Sequence, residues 1–205
     1  MKAAVVDYDL GNLPSVTKAV ERIGVDTEII DSPEAFDDGF DAVILPGVGH
    51  FGAGARNLAD RRLVDPLREW ANAGQPLLGI CVGLQLFMES SDEDPDARGL
   101  GIVPGTCRRL EGGPDLKVPH MGWNSLEVSE GAEVLSAIEP GDRAYFVHSY
   151  YVDPDPGYVV ATTTYSQLFC SAIERENIVG VQFHPEKSAE VGRRVLERFF
   201  NRIGK

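Results

Sequence analysis

The chain has 205 residues, 32 acidic against 19 basic side chains and a formal net charge of −13. That length is one domain, residues 1–205, able to bury about 70% of its unfolded surface, and 43% hydrophobic residues exclude a disordered chain. The acid excess repels a phosphate backbone, which excludes a nucleic-acid binder, and is best tolerated where salt screens it, pointing to a salt-rich cytoplasm.

In the first half, apolar runs alternate with amphipathic stretches. Ala3–Val6 reads as a strand, and Gly11-Asn12 opens a helix with Val16, Val20 and Ile23 on one face, ended by Gly24. Thr27–Ile30 and Asp41–Leu45 are the next strands, the latter stopped by Pro46-Gly47. Residues 54–73 read as one helix carrying Leu58, Leu63, Leu67 and Trp70, followed by a strand over Pro76–Ile80 and a helix over Val82–Ser90. Strands alternating with helices predict an α/β fold: an open, mostly parallel sheet flanked by helices. After residue 100 the pieces Tyr145–Val147, Val159–Thr164, Phe169–Ile173 and Ile178–Phe183 follow one another with turns between, predicting an antiparallel β extension. A final helix, with Ser188 as its cap, repeats Val191, Val195, Phe199 and Ile203.

Cys81, Cys107 and Cys170 form no C-x-x-C pair and no metal spacing, so a reduced, cytoplasmic setting without a metal is expected. The N-terminus is charged again by Asp7, unlike a signal peptide. The longest mostly apolar run, 76–88, is shorter than the ~20 residues of a membrane span, so no membrane is expected.

Three strings carry chemistry. Gly79-Ile80-Cys81-Val82-Gly83 lies where a strand runs into a helix, the pattern of a nucleophile elbow with Cys in place of Ser. The glycines permit a tight turn that exposes the nucleophile, and the helix N-terminus favours its thiolate. Among four histidines only His184 has a carboxylate two positions on, in His184-Pro185-Glu186, where an extended segment puts both on one side and lets Glu186 orient the ring. Pro46-Gly47-Val48-Gly49-His50-Phe51-Gly52 follows a strand, and its glycines let main-chain N–H groups approach a ligand as oxyanion donors. The plainer alternatives are a buried packing cysteine, a surface turn and a flexible loop.

Gly79–Gln85 with His184–Ser188 a hundred residues later resembles the class I glutamine amidotransferases. Gly11-Asn12, Pro46–Gly52, Pro119-His120-Met121-Gly122-Trp123-Asn124 and Tyr145–Tyr150 occur in that family's order and narrow the resemblance to its histidine-biosynthetic branch. The resemblance implies that Cys81 attacks the side-chain amide of glutamine, with His184 as base and then acid and Glu186 orienting it. It places the oxyanion between the N–H groups of Val82 and the Val48-Gly49 segment, and glutamine's α-groups on Gln85, Ser149 and Tyr150. It implies no cofactor. It further implies a heterodimer with a (β/α)₈-barrel cyclase/synthase subunit that receives the ammonia, docked on a face near Asn12, His120, Trp123, Tyr145 and Lys187. Glutaminases of anthranilate, aminodeoxychorismate or pyridoxal phosphate synthesis are the nearest alternative; the first two usually carry Gly-His-Gln where this chain has Gly83-Leu84-Gln85. Cysteine peptidases and deglycases lack the downstream His-Pro-Glu. Pro14 and Gly54-Ala55-Arg56 depart mildly from the family pattern.

Overall fold

After Lys2, the first strand, β1 (Lys2–Val6), is a run of small and β-branched residues, and Ala3 to Val6 are fully buried. A strand buried on both faces is what helices on both sides of a parallel sheet require. The computed structural model describes residues 1–36, 39–113 and 116–203. β1 pairs in parallel with β2 (Asp26–Ile30) on one side and β3 (Ala42–Leu45) on the other; β4 (Leu77–Ile80) then pairs in parallel with β3. Between β1 and β2, helix α1 (Leu13–Glu21) buries Val16 and Val20, with Pro14 in its first turn, where a missing N–H leaves no helical bond unmade.

The single helix expected over 54–73 is two: α2 (Phe51–Asp60) and α3 (Val64–Asn72). Arg62 takes a left-handed conformation at φ 57°, its N–H donating to the Ala59 carbonyl and the Leu63 N–H to that of Leu58. This is a Schellman stop closed by a non-glycine residue. Leu58, Leu63 and Leu67 stay buried through the break, so the apolar spacing survives it.

The helix expected over Val82–Ser90 is also shorter; α4 spans only Val82–Gln85. The carbonyls of Leu86, Phe87 and Met88 accept instead from the N–H groups of Leu100, Val103 and Gly101. The chain then enters a short strand, β5 (Ser90–Ser91), which pairs with β6 (Gly105–Arg109).

The second half supplies β7 (His120–Ser125), β8 (Glu127–Val128), β9 (Arg143–His148), β10 (Tyr150–Pro154), β11 (Val159–Thr164), β12 (Leu168–Arg175) and β13 (Ile178–Val181). The main sheet runs β2-β1-β3-β4-β13-β12-β10-β6-β5, parallel from β2 to β13 and antiparallel at each pairing from β13 to β6. The antiparallel extension thus lies where it was expected, but Tyr145–Val147 is not in it: β9 pairs with β7 as a separate two-stranded sheet. The closing helix α5 (Ala189–Ile203) buries Val191, Val195, Leu196, Phe199 and Phe200. The Ser188 hydroxyl serves another purpose than the cap expected of it. It donates to the His184 carbonyl at 2.7 Å and accepts from the Tyr145 N–H at 2.9 Å.

Candidate active site

Cys81 follows the carboxyl end of β4, and the His184 segment follows that of β13, its parallel neighbour. The Pro46–Gly49 loop leaves the carboxyl end of β3 on the other side of β4. Three strings scattered over 140 residues of sequence meet because adjacent parallel strands end at one edge, where α/β folds place their ligands.

Cys81 has φ 54° and ψ −109°, a conformation that L-residues adopt only under constraint and that turns the strand into α4. The constraint is close packing at two glycines. A Cβ on Gly83 would lie 1.8 Å from the Leu45 carbonyl oxygen, and one on Gly47 would lie 2.4 Å from the Tyr8 hydroxyl. Tyr8, fully buried, donates to the Pro46 carbonyl at 2.6 Å and pins the loop against the elbow. Burial, and next the charge of Cys81, push its phenol well above the usual tyrosine range.

His184 and Glu186 form the pair read from the sequence, with Nδ1 2.8 Å from the Glu186 carboxylate and both side chains 1–2% exposed. The path between them is a 3₁₀ turn, Pro185–Lys187, rather than an extended segment; the turn folds the carboxylate back under the ring. A hydrogen bond from His184 N–H to the Tyr145 carbonyl at 2.9 Å ties the segment to β9. His184 Nε2 and the second Glu186 oxygen are buried with no hydrogen-bond partner. Burial by itself lowers the imidazole pKa, but the adjacent Cys81 sulfur, the hydrogen bond from Nδ1 to Glu186 and the charges of both groups outweigh it and raise the ring to about 9. The arrangement therefore favours imidazolium beside the sulfur.

A cavity of about 250 Å³ opens in front of Cys81, bounded by Val48, Gly49, Val82, Gln85 and the Val147–Tyr150 segment. All the residues expected to hold oxyanion and substrate line it. The Val82 N–H donates to the Gly47 carbonyl at a long 3.4 Å. Gln85 Nε2 donates to the Tyr150 carbonyl at 2.8 Å. A larger cleft of about 640 Å³, lined by Phe36, Phe40 and Trp70, contains no member of the Cys81–His184–Glu186 group.

Two residues at the site were not found from the sequence. Glu93 lines the cavity, its Oε2 accepting from the Phe51 N–H at 2.6 Å; it sits in an acidic loop that gave no sign of function. Gln182 is fully buried with Nε2 3.7 Å from Cys81 Sγ, and its spacing of two residues from His184 was the available signal.

Of the residues expected on a docking face, Trp123 is 47% exposed, in edge contact with Tyr145 at 6.0 Å between ring centroids. The Lys187 ammonium stands 5.9 Å from the Tyr145 ring centre. Asn12 is half-buried at the start of α1. His120 does not share that face: it is 2% exposed and bonded to His148, because alternation along β7 turns residue 120 away from residues 121 and 123. Among the described residues no cluster of His, Cys, Asp or Glu is arranged to hold a metal, and no helix is long and apolar enough to cross a membrane.

Residues 4–203 match the family model of class I glutamine amidotransferases. The chain is 47% identical to the imidazole glycerol phosphate synthase subunit HisH of Desulfovibrio desulfuricans, covering 96% of this chain and 93% of that protein. It is also 47% identical to the HisH subunit of Halobacterium salinarum, over 95% and 90%. Solved folds agree: a glutamine amidotransferase crystal structure superposes with a TM-score of 0.77 over 98% of this chain and 99% of the other at 19% identity. PurLQS from Thermotoga maritima does so with a TM-score of 0.77 over 98% of each chain at 21% identity. The chain belongs to the class I glutamine amidotransferase family, in the branch of the glutaminase subunits of imidazole glycerol phosphate synthase.

Proposed function

We propose that Cys81, His184 and Glu186 hydrolyse glutamine and that the ammonia passes to a (β/α)₈-barrel cyclase/synthase subunit docked as a heterodimer in the cytoplasm. The observation that carries the reading is the buried His184–Glu186 pair at 2.8 Å behind a cysteine held on a strained corner.

The Cys81 thiolate adds to the side-chain amide carbon of glutamine, and the amide oxygen takes up negative charge. Collapse of this adduct breaks the C–N bond as the His184 imidazolium gives its proton to the departing nitrogen, leaving a glutamyl thioester and ammonia. His184, now neutral, takes a proton from water as the hydroxide adds to the thioester; the C–S bond breaks, and glutamate leaves with the thiolate restored. Glu186 keeps the ring in the tautomer that turns Nε2 to the sulfur.

The N–H groups of Val82 and of Val48-Gly49 are the oxyanion donors. Since the Val82 N–H rests on the Gly47 carbonyl, the oxyanion must displace that carbonyl, which supports low activity of the chain alone and stimulation by the partner. Glutamine's α-ammonium faces Glu93 across the cavity, and its α-carboxylate faces the Ser149-Tyr150 backbone. Gln85, with Nε2 already committed to Tyr150, offers its carboxamide oxygen. Trp123, Tyr145, Lys187 and Asn12 form the docking face, an exposed tryptophan and a half-buried tyrosine beside a cation.

The test is glutamate release from glutamine by the chain alone and with the cyclase subunit and its nucleotide substrate. Cys81→Ala is expected to abolish release in both while sparing synthesis from added ammonia. Glutamine hydrolysis by Cys81→Ala, or full activity without a partner, refutes the corresponding part of the reading.

A further inference from the structure

The Tyr150 main-chain carbonyl can only accept hydrogen bonds, and it receives two: from His148 Nδ1 at 2.9 Å and from Gln85 Nε2 at 2.8 Å. Those two bonds set the direction of every neighbour. His148 carries its proton on Nδ1, so its Nε2 accepts, and His120 Nδ1, 3.0 Å away, is the donor. His120 Nε2 is then an acceptor facing Asn124 Nδ2 at 3.4 Å, and that amide also donates to the Thr164 carbonyl at 2.9 Å. On the other side, Gln85 Nε2 gives its second proton to Gln182 Oε1 at 3.3 Å. The Gln182 carboxamide is thereby fixed with Nε2 toward Cys81 Sγ at 3.7 Å. Flipping it would bring two N–H donors face to face at Gln85 and a carbonyl oxygen against the sulfur. Gln182 is fully buried and His120 is 2% exposed, and neither lines the cavity, so neither has water as an alternative partner.

We propose that Gln182 is a catalytic residue whose Nε2–H donates to the Cys81 sulfur and favours the thiolate, and that Gln85, the Tyr150 carbonyl and the His148–His120 pair are the positioning groups that keep its carboxamide the right way round. A donor to sulfur stabilises the charged form more than the neutral one. Both histidines are held neutral, as the assigned directions demand, because burial lowers His120 to about 4 and His148 to about 3. Gln182 does not line the cavity, so its effect falls on the nucleophile rather than on substrate affinity.

The proposal rests on the reading of Cys81 as the nucleophile, and its test uses the thiol alone, without glutamine or partner. The rate of Cys81 alkylation by iodoacetamide, in which sulfur displaces iodide, is followed by mass spectrometry on the full chain from about pH 5 to about pH 10. Cys81 lines the cavity whereas Cys107 and Cys170 do not, and burial pushes those two thiols up, Cys170 to about 12, so neither competes. The titratable groups around Cys81 are His184 with Glu186, Tyr8, His148 and Glu93; all are unchanged in the variants, so a difference reads Gln182.

Gln182→Met removes the donor and is expected to raise the pH midpoint by about one unit and slow alkylation at neutral pH about tenfold. Gln182→Glu keeps the shape and puts an anionic oxygen beside the sulfur, so its midpoint rises further. Gln85→Met frees the Gln182 carboxamide to turn and gives a smaller rise. Wild-type midpoints in folded Gln182→Met or Gln182→Glu protein, checked by circular dichroism, overturn the catalytic role. A wild-type midpoint in Gln85→Met overturns the positioning role. Loss of glutaminase activity without a shifted midpoint also refutes the proposal, while a shifted midpoint in a chain that never hydrolyses glutamine refutes only the reading of function.

Discussion

Replacing Glu186 by Gln isolates what a carboxylate does behind His184. The carboxamide oxygen can still accept from Nδ1, so the ring keeps its hydrogen bond. The amide nitrogen then takes the place of the Glu186 oxygen that is buried without a partner. An unsatisfied buried donor costs about 1–3 kcal/mol. The charge is lost as well. In the native chain the ring stands at about 9 against a reference of 6.5, a rise maintained by Cys81 and Glu186 in opposition to burial. That rise is worth about 3 kcal/mol at about 1.4 kcal/mol per unit, and removing one of the two charged partners lowers the ring by at least about one unit. A histidine whose pKa is raised on folding stabilises the protein fully below 6.5, and this contribution fades as the pH climbs to about 9. The stability gap between native and Glu186→Gln protein is therefore widest at and below pH 6.5 and narrows toward pH 9. Turnover with the partner subunit falls by about 10³–10⁴, the scale seen when the orienting carboxylate of a serine-protease triad is made an amide. KM for glutamine changes little, because Glu186 is not in the cavity wall. NMR titration of the His184 ring, thermal unfolding at the two ends of the pH range and glutamate release measure the three effects. A ring that still titrates near 9, or unchanged turnover, refutes the reasoning.

Gly83→Ala places a methyl 1.8 Å from the Leu45 carbonyl oxygen, a backbone atom that cannot swing aside. Denaturant melts are expected to show a loss of about 3 kcal/mol, at the upper end of overpacking costs, with turnover falling in the folded fraction because the same shift misplaces Cys81; native stability refutes this. On β12, Glu174 accepts three main-chain N–H groups, those of Glu133, Val134 and Leu135, at 2.7–3.1 Å. Glu174→Gln sets an amide against those donors and is expected to cost about 3 kcal/mol, seen as a fall in Tm of about 6–12 °C; an unchanged Tm removes Glu174 from the stabilising set. Lys187 is exposed, and the Tyr145 ring is its contact. Lys187→Ala leaves the stability of the chain alone within about 0.5 kcal/mol and weakens the cyclase complex about tenfold by titration; unchanged affinity and stimulation refute its place on the docking face.

The parts of the site that sequence reading recovered are those encoded locally. Gly79–Gly83 and His184–Glu186 each carry their geometry within five residues, as a tight turn and a side chain folded back on its neighbour. Glu93 and Gln182 were missed because each acts on a partner far along the chain: Glu93 faces a cavity walled by residues 48, 85 and 148, and Gln182 reaches a sulfur 101 residues away. The errors in helix length have the same origin. α4 gives way after Gln85 to i−3 bonds from the Phe87 and Met88 N–H groups, and the next three carbonyls are taken by residues 100–103, distant in sequence. The break at Arg62 left the apolar spacing intact, since Leu58 and Leu63 remain buried on either side of it, so hydrophobic periodicity could not report it.

The placement of His120 follows from a period the sequence already contained. In an extended strand residues 120 and 123 point to opposite sides, and the register of β7 against β9 pairs His120 with His148 and Trp123 with Tyr145. The two-stranded sheet is therefore a thin plate with two chemistries. Its outer side carries Met121 and Trp123, both exposed, and its inner side carries Phe146 and the two histidines that end on the Tyr150 carbonyl. β9 is also bonded through its main chain to the triad segment, from the Tyr145 carbonyl to the His184 N–H and from the Tyr145 N–H to Ser188. On the proposed docking geometry, a subunit resting on Trp123 and Tyr145 presses on the same strand whose backbone holds His184 and whose inner side orients Gln85 and Gln182. The nucleophile, its base and the substrate contacts then share one mechanical support, and partner binding has no need of a separate route to reach them.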